Sequence, residues 1–436
     1  NGAKFLTLTN ILPVWAQGTF NGHIFHDENG YAGGTVTMTV SPVGKVSGKL
    51  ALNGKTYAFT APSYARGYGS LCEIDATVKD GTRMAPLQLS VWPLVFSGAV
   101  GAAAQTLGAA AGTLEAVGSG EYRASMYRDV WKEVGAALLE PYIGYYTATL
   151  AGNEAFGSGY LTFTVDKAGK VKTAGKLADG TSVSQGNALV MDANGNVGTV
   201  LYAAPAAYKG GCLYGWVWFL KNGMGQITTR NSGSGWGLPV AWSSYSPVAT
   251  AAYNGGFFRG LEIDGGKYDK LGNLYGYYAG MNLAAGLDPD AAAPELAVGA
   301  ARYGAVWWDP TGIALTPTLK SGVMAGLAAP AAGKPTDLDK NGVWDYGAAN
   351  AVGLKVSLTR ATGIFKGSFL AWFDYPVKKH ASKSLAFEGA LTPVRANPLE
   401  GVEGRGYCLW PDKAVPPLPA KPYAFKWSYD FLIRSE

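Results

Sequence analysis

The chain is predicted to be all-β: antiparallel β-barrels or sandwiches built from repeated β-hairpin and meander units, with one short connector helix. Three observations carry this. One hairpin pattern is written three times, its strands alternate apolar and polar residues with period two, and its turns close on glycine. Composition agrees: 436 residues include 61 glycines, 12% aromatic and only 15% charged residues, which suits many tight turns and few solvated helices.

The first copy runs through Val36, Met38 and Val40, turns on Gly44 and returns through Val46, Gly48 and Leu50. The second runs through Leu161, Phe163 and Val165, turns on Gly169 and returns through Val171, Gly175 and Leu177. The third uses Leu354, Val356 and Leu358, then Gly363, then Phe365, Gly367 and Phe369. Between the first two copies, Tyr127, Val130, Trp131, Val134 and Leu138 fall at helical spacing, so 121–139 is read as a connector helix. The organisation expected is a first β module over 1–116, a connector over 117–142, a second module over 143–252 and a third over 253–436. The third carries a long insertion at about 281–350, rich in Ala, Pro and Gly. Cys72, Cys212 and Cys408 follow the hairpins on apolar segments and are expected to be buried thiols at equivalent repeat positions, since an odd number cannot pair completely.

Composition also excludes function classes. A net charge of +5 with scattered Lys and Arg leaves no electrostatic footprint for nucleic acid. Residues 84–114 carry no charge, but Pro93 interrupts them and their second half is small rather than greasy, so they read as a strand over 87–96 and a Gly/Ala-rich surface loop, not as a membrane span. The sequence starts at Asn1 without a basic, signal-like run, which is expected of a processed or excised segment.

The segments around Tyr160–Val171, Gly175–Gln185 and Gly353–Phe369, followed by Phe387, Gly389, Gly404 and Cys408, resemble Gly-rich β-meander repeat modules of large secreted or cell-surface proteins from verrucomicrobial, lentisphaeral and planctomycete bacteria. The resemblance rests on turn glycines and alternation over about two thirds of the chain. It implies an extracellular or cell-surface β-rich module and brings no catalytic residues.

The sharpest chemical motif is the loop 337–345, where Asp337, Asp339 and Asn341 precede Gly342 and then Val343 and Asp345. Alternating oxygen ligands with a glycine turn wrap a hard cation, and the loop resembles the calcium loops of dockerins and thrombospondin-type repeats. Ala348 stands where such a loop carries a bidentate Glu. Calcium, if held, is expected to rigidify the insertion. His23 and His26 would face opposite sides of a strand, and only a turn could converge them with Asp27 or Glu28 on a metal. His380 lies in a basic Lys-Lys-His stretch, and no nucleophile elbow accompanies the three histidines. Two carboxylates suffice for glycoside hydrolysis, with Glu262, Asp264, Asp309 and Asp374 as the acids beside aromatics.

Trp236, Trp242, Tyr245, Trp307 and Trp308 lie in Gly/Ser/Pro-rich segments and are the candidate ligand-binding rings, whereas Trp216, Trp218 and Trp427 read as core. Three functions follow in order: a non-catalytic extracellular or surface structural module that assembles with itself or a larger surface protein, a carbohydrate-binding module using exposed aromatics with structural calcium, and a polysaccharide-active glycoside hydrolase.

Overall fold

A computed structural model of the chain describes residues 12–26, 33–61, 66–68, 71–97, 104–115, 121–152, 157–220, 225–229, 240–244, 257–269, 283–287, 313–320, 323–333, 336–337, 344–345, 349–350, 352–373, 381–393, 402–411 and 426–435. They form antiparallel sheets that roll up into barrels. Among the described residues no helix is long and apolar enough to cross a membrane.

The first sheet contains β1 (Gly18–His26), β2 (Gly33–Val40), β3 (Val46–Leu52), β4 (Lys55–Ala61), β5 (Arg66–Tyr68), β6 (Leu71–Asp80), β7 (Arg83–Ser97), β8 (Ala104–Glu115) and β9 (Glu121–Arg128). Its order is 4-3-2-1-9-8-7-6-5, and a short pairing of Phe59 with Val78 and Thr60 with Thr77 joins β4 to β6 and closes an eight-stranded barrel. Closure removes the two sticky edges that an open sheet of this size would leave. Inward residues such as Phe20, Ile24, Met38, Leu50, Phe59 and Ile74 fill the barrel.

The second sheet contains β10 (Gly144–Gly152), β11 (Gly159–Val165), β12 (Lys170–Lys176), β13 (Ser182–Ala188), β14 (Val190–Met191) and β15 (Val197–Ala203), then β16 (Leu213–Phe219), β17 (Gln226–Thr228), β18 (Val240–Ser244) and β19 (Phe257–Lys267). Its path, 13-12-11-10-19-17-16-15-14, repeats that of the first, with β18 bridging β16 and β19 beside β17. β13 packs next to β15 at the position where β4 meets β6, joined through the Gln185 and Asn187 side chains and not by a strand ladder.

The third contains β20 (Leu283–Leu287), β21 (Ile313–Lys320) and β22 (Val323–Ala328). A separate two-stranded ladder, β23 (Thr336–Asp337) with β24 (Trp344–Asp345), precedes β25 (Lys355–Thr359), β26 (Ile364–Phe373), β27 (Ala381–Leu391), β28 (Val402–Pro411) and β29 (Lys426–Ser435). Its order is 22-21-20-29-28-27-26-25, and β22 lies alongside β25. Phe365, Phe369, Phe387 and Phe431 stack in its core.

All three written hairpins are present, as β2–β3, β11–β12 and β25–β26. Their turn glycines take φ of +83° at Gly44, +74° at Gly169 and +69° at Gly363, a left-handed conformation that side chains with a Cβ adopt at a cost. In the first and third copies the return-strand glycine sits under an aromatic ring of the next strand, Gly48 opposite Phe59 and Gly367 opposite Phe387. A Cβ at either glycine would lie 2.1 or 2.5 Å from a ring carbon, so hairpin and following strand act as one packing unit.

Several expectations are corrected. Residues 121–128 form β9, not helix: Tyr122, Ala124, Met126 and Arg128 point inward at period two, and pairing with both β1 and β8 overrides the helical spacing. Only α1 (Trp131–Val134) and α2 (Ala136–Leu139) remain helical there. Residues 104–115 of the Gly/Ala-rich stretch form strand β8, not a loop; 104–114 pair with β7 and 109–115 with β9. The first sheet therefore runs past residue 116, and the second runs past 252 through β19, which pairs with β10. The three cysteines are free and buried. Cys72 and Cys408 lie in the first and third cores, but Cys212 belongs to a cluster between barrels, so the expected equivalence does not extend to it.

The barrels are joined by dense seams. Between the first and second, Val200, Cys212, Tyr214 and Ala241 pack with Phe25, and the Gly54 amide donates to the Tyr202 hydroxyl at 3.0 Å. Between the second and third, Tyr160, Ala390 and Tyr407 form a buried cluster flanked by Thr147 donating to the Leu391 carbonyl at 2.7 Å.

Candidate functional site

Beside the first seam lies a cleft of about 1010 Å³, large enough for several sugar rings or a comparable ligand, since small-molecule sites run to roughly 300–1,000 Å³. One wall is the outer face of the first barrel. Strand register sets its residues in rows: Asp75, Gln88, Thr113 and Arg123 in one, Glu73, Ser90, Ala111, Ser125 and His23 in the next, and Trp92, Ala109 and Tyr127 in a third. Alternation places all of these outside the barrel while Ile74, Leu89 and Ala124 fill its inside. The small residues of β8 make the floor, because no large side chain rises between the β7 and β9 rows.

The opposite wall comes from the second barrel. β16 is apolar on both faces: Leu213, Val217 and Phe219 enter the core, and Tyr214, Trp216 and Trp218 face the cleft. Trp216 and Trp218 stack at 5.2 Å with planes 15° apart, and Tyr127 meets Trp216 edge-on at 6.3 Å, joining rings from both barrels. The Trp218 indole Nε1 is buried without an acceptor among the described residues. A buried donor left so is costly, and an ordered water or a ligand oxygen is what ordinarily satisfies it.

The turn between β14 and β15 completes the rim. Asp192 holds this turn, its carboxylate accepting from the Asn194 amide at 2.9 Å and the Asn196 amide at 2.8 Å. Burial and the Asp192 charge together raise the pKa of Tyr127, so its hydroxyl stays neutral. His23 is buried, shares a 2.5 Å hydrogen bond between Nδ1 and the Tyr214 hydroxyl, and has its pKa pushed down to about 3 by burial. It is a neutral positioning group of the seam. Glu73 and Asp75 are exposed and have no hydrogen-bond or ion-pair partner among the described residues.

The site differs from the one expected. Trp242 is 1% exposed and packs against Tyr208 and Phe257 in the second core, which leaves it no face for a ligand. Trp236, Tyr245, Trp307 and Trp308 lie outside the described residues, as do Asp27, Glu28, Asp309, Asp374 and His380. Trp218, read as core, is buried at 5% exposure and reaches the cleft lining beside half-buried Trp216; the side chain of Trp427 is outside the described set. Glu262 and Asp264 lie on β19, away from the cleft. His23 and His26 project to opposite faces of β1, His26 packing on Tyr122 at 5.1 Å. Of the loop 337–345, Asp337 pairs with Trp344 and Thr336 with Asp345, while Asp339, Asn341 and Val343 lie outside the described residues. No cluster of metal-ligating side chains occurs among the described residues. The signal that could have found the cleft is β16 itself, a strand with aromatics on both faces, which needs a second partner beyond its own core.

No family model, curated protein or solved structure matches this chain.

Proposed function

We propose that this chain is a non-catalytic, extracellular or cell-surface β-barrel module that binds a carbohydrate in the cleft between its first two barrels. The observation that carries the reading is the aromatic wall, stacked Trp216 and Trp218 with Tyr127 and Trp92 nearby, beside a buried indole donor and the exposed carboxylates of Glu73 and Asp75. Flat rings suit the apolar faces of sugars, and carboxylates suit their hydroxyls. Binding is favoured over hydrolysis because Glu73 and Asp75 stand two residues apart on one strand and point to one side, whereas bond cleavage needs carboxyl groups flanking the scissile bond. Asp192, on the other rim, is committed to its own turn. The bacterial surface setting rests on the Gly-rich, aromatic-rich, weakly charged composition and on the repeat resemblance. The loop 337–345 is assigned a structural calcium ion on its ligand spacing alone.

A glycan array followed by calorimetry tests the reading. Trp216→Ala and Trp92→Ala, one from each barrel, should each weaken the best hit at least about tenfold, roughly 1.4 kcal/mol. Absence of any glycan hit, or a hit indifferent to both variants, overturns it.

A further inference from the structure

Charge in the cleft is distributed unlike charge in the chain. The whole molecule is net positive at +5, yet the described cleft lining holds Glu73, Asp75 and Asp192 against the single cation Arg123. His23 adds nothing, since it is enclosed and neutral. The Asp192 charge is fixed by three hydrogen bonds from its own turn, two from backbone amides and one from the Asn196 side chain, so it stands as a permanent negative rim. Glu73 and Asp75 point from the same face of β6 into the space in front of Gln88 and Ser90, exposed and with no partner among the described residues. Trp216 and Trp218 also line the cleft, and the face of an indole ring carries the negative side of its quadrupole. Carboxylates and ring faces both attract a cation and both repel an anion, so the two kinds of wall agree on one ligand charge.

Resting on the carbohydrate reading above, we propose that the cleft selects glycans carrying protonated amines, such as oligomers of glucosamine, over neutral glycans and excludes those built from uronic acids. Glu73 and Asp75 supply the charge recognition and the tryptophans the sugar-face contact. Because the chain as a whole is cationic, general attraction works against a polyamine and cannot imitate this preference.

The test is calorimetric titration of the full chain with three pentamers: fully deacetylated glucosamine, N-acetylglucosamine and galacturonic acid, at pH 6 and low salt. The glucosamine pentamer should bind at least tenfold tighter than the acetylated one, and the galacturonic acid pentamer should not bind. In a Glu73→Gln, Asp75→Asn double variant, both exposed positions where folding is not at stake, the tenfold advantage of the glucosamine pentamer over the acetylated one should vanish. Equal binding of the two amino-sugar pentamers, or an advantage that survives the double variant, overturns the charge proposal and leaves the carbohydrate reading standing. Failure of all three pentamers, with no neutral glycan bound on the array, overturns both.

Discussion

His23 shows how one side chain can serve the seam at a cost that depends on pH. It is buried against Phe25, Tyr214 and Trp216 with ring centroids 5.0 to 6.0 Å away, where a charged imidazolium is heavily penalised. Its folded pKa, about 3, lies below the ordinary 6.5. Between those values the unfolded chain binds a proton that the folded chain refuses, so this residue's contribution is intact above pH 6.5 and is lost as pH falls toward 3. The slope is at most about 1.4 kcal/mol per pH unit. Denaturation at pH 7 and pH 5 should show His23→Gln losing less stability on acidification than the parent chain; parallel losses would place the titration elsewhere. Glycine positions carry the other residue-scale lesson. Gly44, Gly169 and Gly363 were visible in the sequence as turn closers and adopt the positive φ that role requires. Gly48 and Gly367 looked like ordinary strand residues, and only the structure shows the rings of Phe59 and Phe387 lying over them.

At the scale of elements, what was legible followed period two and what was not followed tertiary pairing. The hairpins were readable because alternation is local. Tyr127, Val130, Trp131, Val134 and Leu138 fit a helix as a set, although the first belongs to strand β9 and the others to the short helices α1 and α2 or, for Val130, the N-cap before them. β8 was misread because small residues have weak strand preference, and it becomes a strand through its neighbours on both sides. Its smallness is what leaves room for the cleft. Ala111 is half-buried on the cleft floor, opposite Ser90 and Ser125. Ala111→Phe should therefore fill the site from outside the barrel, abolishing glycan binding while leaving the melting temperature within about 2 °C, because outward substitutions away from packed features change stability by roughly half a kcal/mol or less. A large drop in melting temperature together with retained binding would refute this placement. The loop 337–345 offers an independent element-scale test. Calcium should raise the melting temperature by a few degrees through preferential binding to the folded chain, and chelator or Asp339→Asn should remove the gain; an identical melt with and without calcium refutes the assignment.

At the scale of the whole molecule, the written repeat and the built repeat are not the same. The first two sheets share one strand path, with the hairpin as second and third strands after the opening strand β1 or β10. In the third, β25–β26–β27 takes the place of β2–β3–β4 and β22 takes that of β1, which puts β20 and β21 where β8 and β9 would stand. The third barrel is thus a cyclic shift of the first by two strands, which no local pattern reveals because pairing of β20 with β29 joins segments far apart in sequence.

The seams then decide whether the barrels act together. At the second seam Glu388 accepts from the Tyr160 hydroxyl at 2.5 Å and pairs with Lys176 at 2.5 Å, while Asp430 accepts from the Ser158 amide at 3.0 Å. Burial first, and the Glu388 carboxylate second, keep Tyr160 protonated and therefore a donor. The Lys176 contact is about a third exposed on the lysine side and contributes little by itself. The Tyr160 hydroxyl is different: Glu388→Ala would strand it in a buried cluster, at a cost of about 1–3 kcal/mol. That cost falls on the seam, not on any one barrel. Hydrogen exchange should quicken at Ser158 and along β27 and β28, with β1–β9 unchanged, and Glu388→Gln should recover most of the protection because its amide oxygen still accepts from Tyr160. Uniform acceleration across the three barrels, or no rescue by glutamine, would mean that the seam is held by its apolar cluster and not by this hydrogen bond.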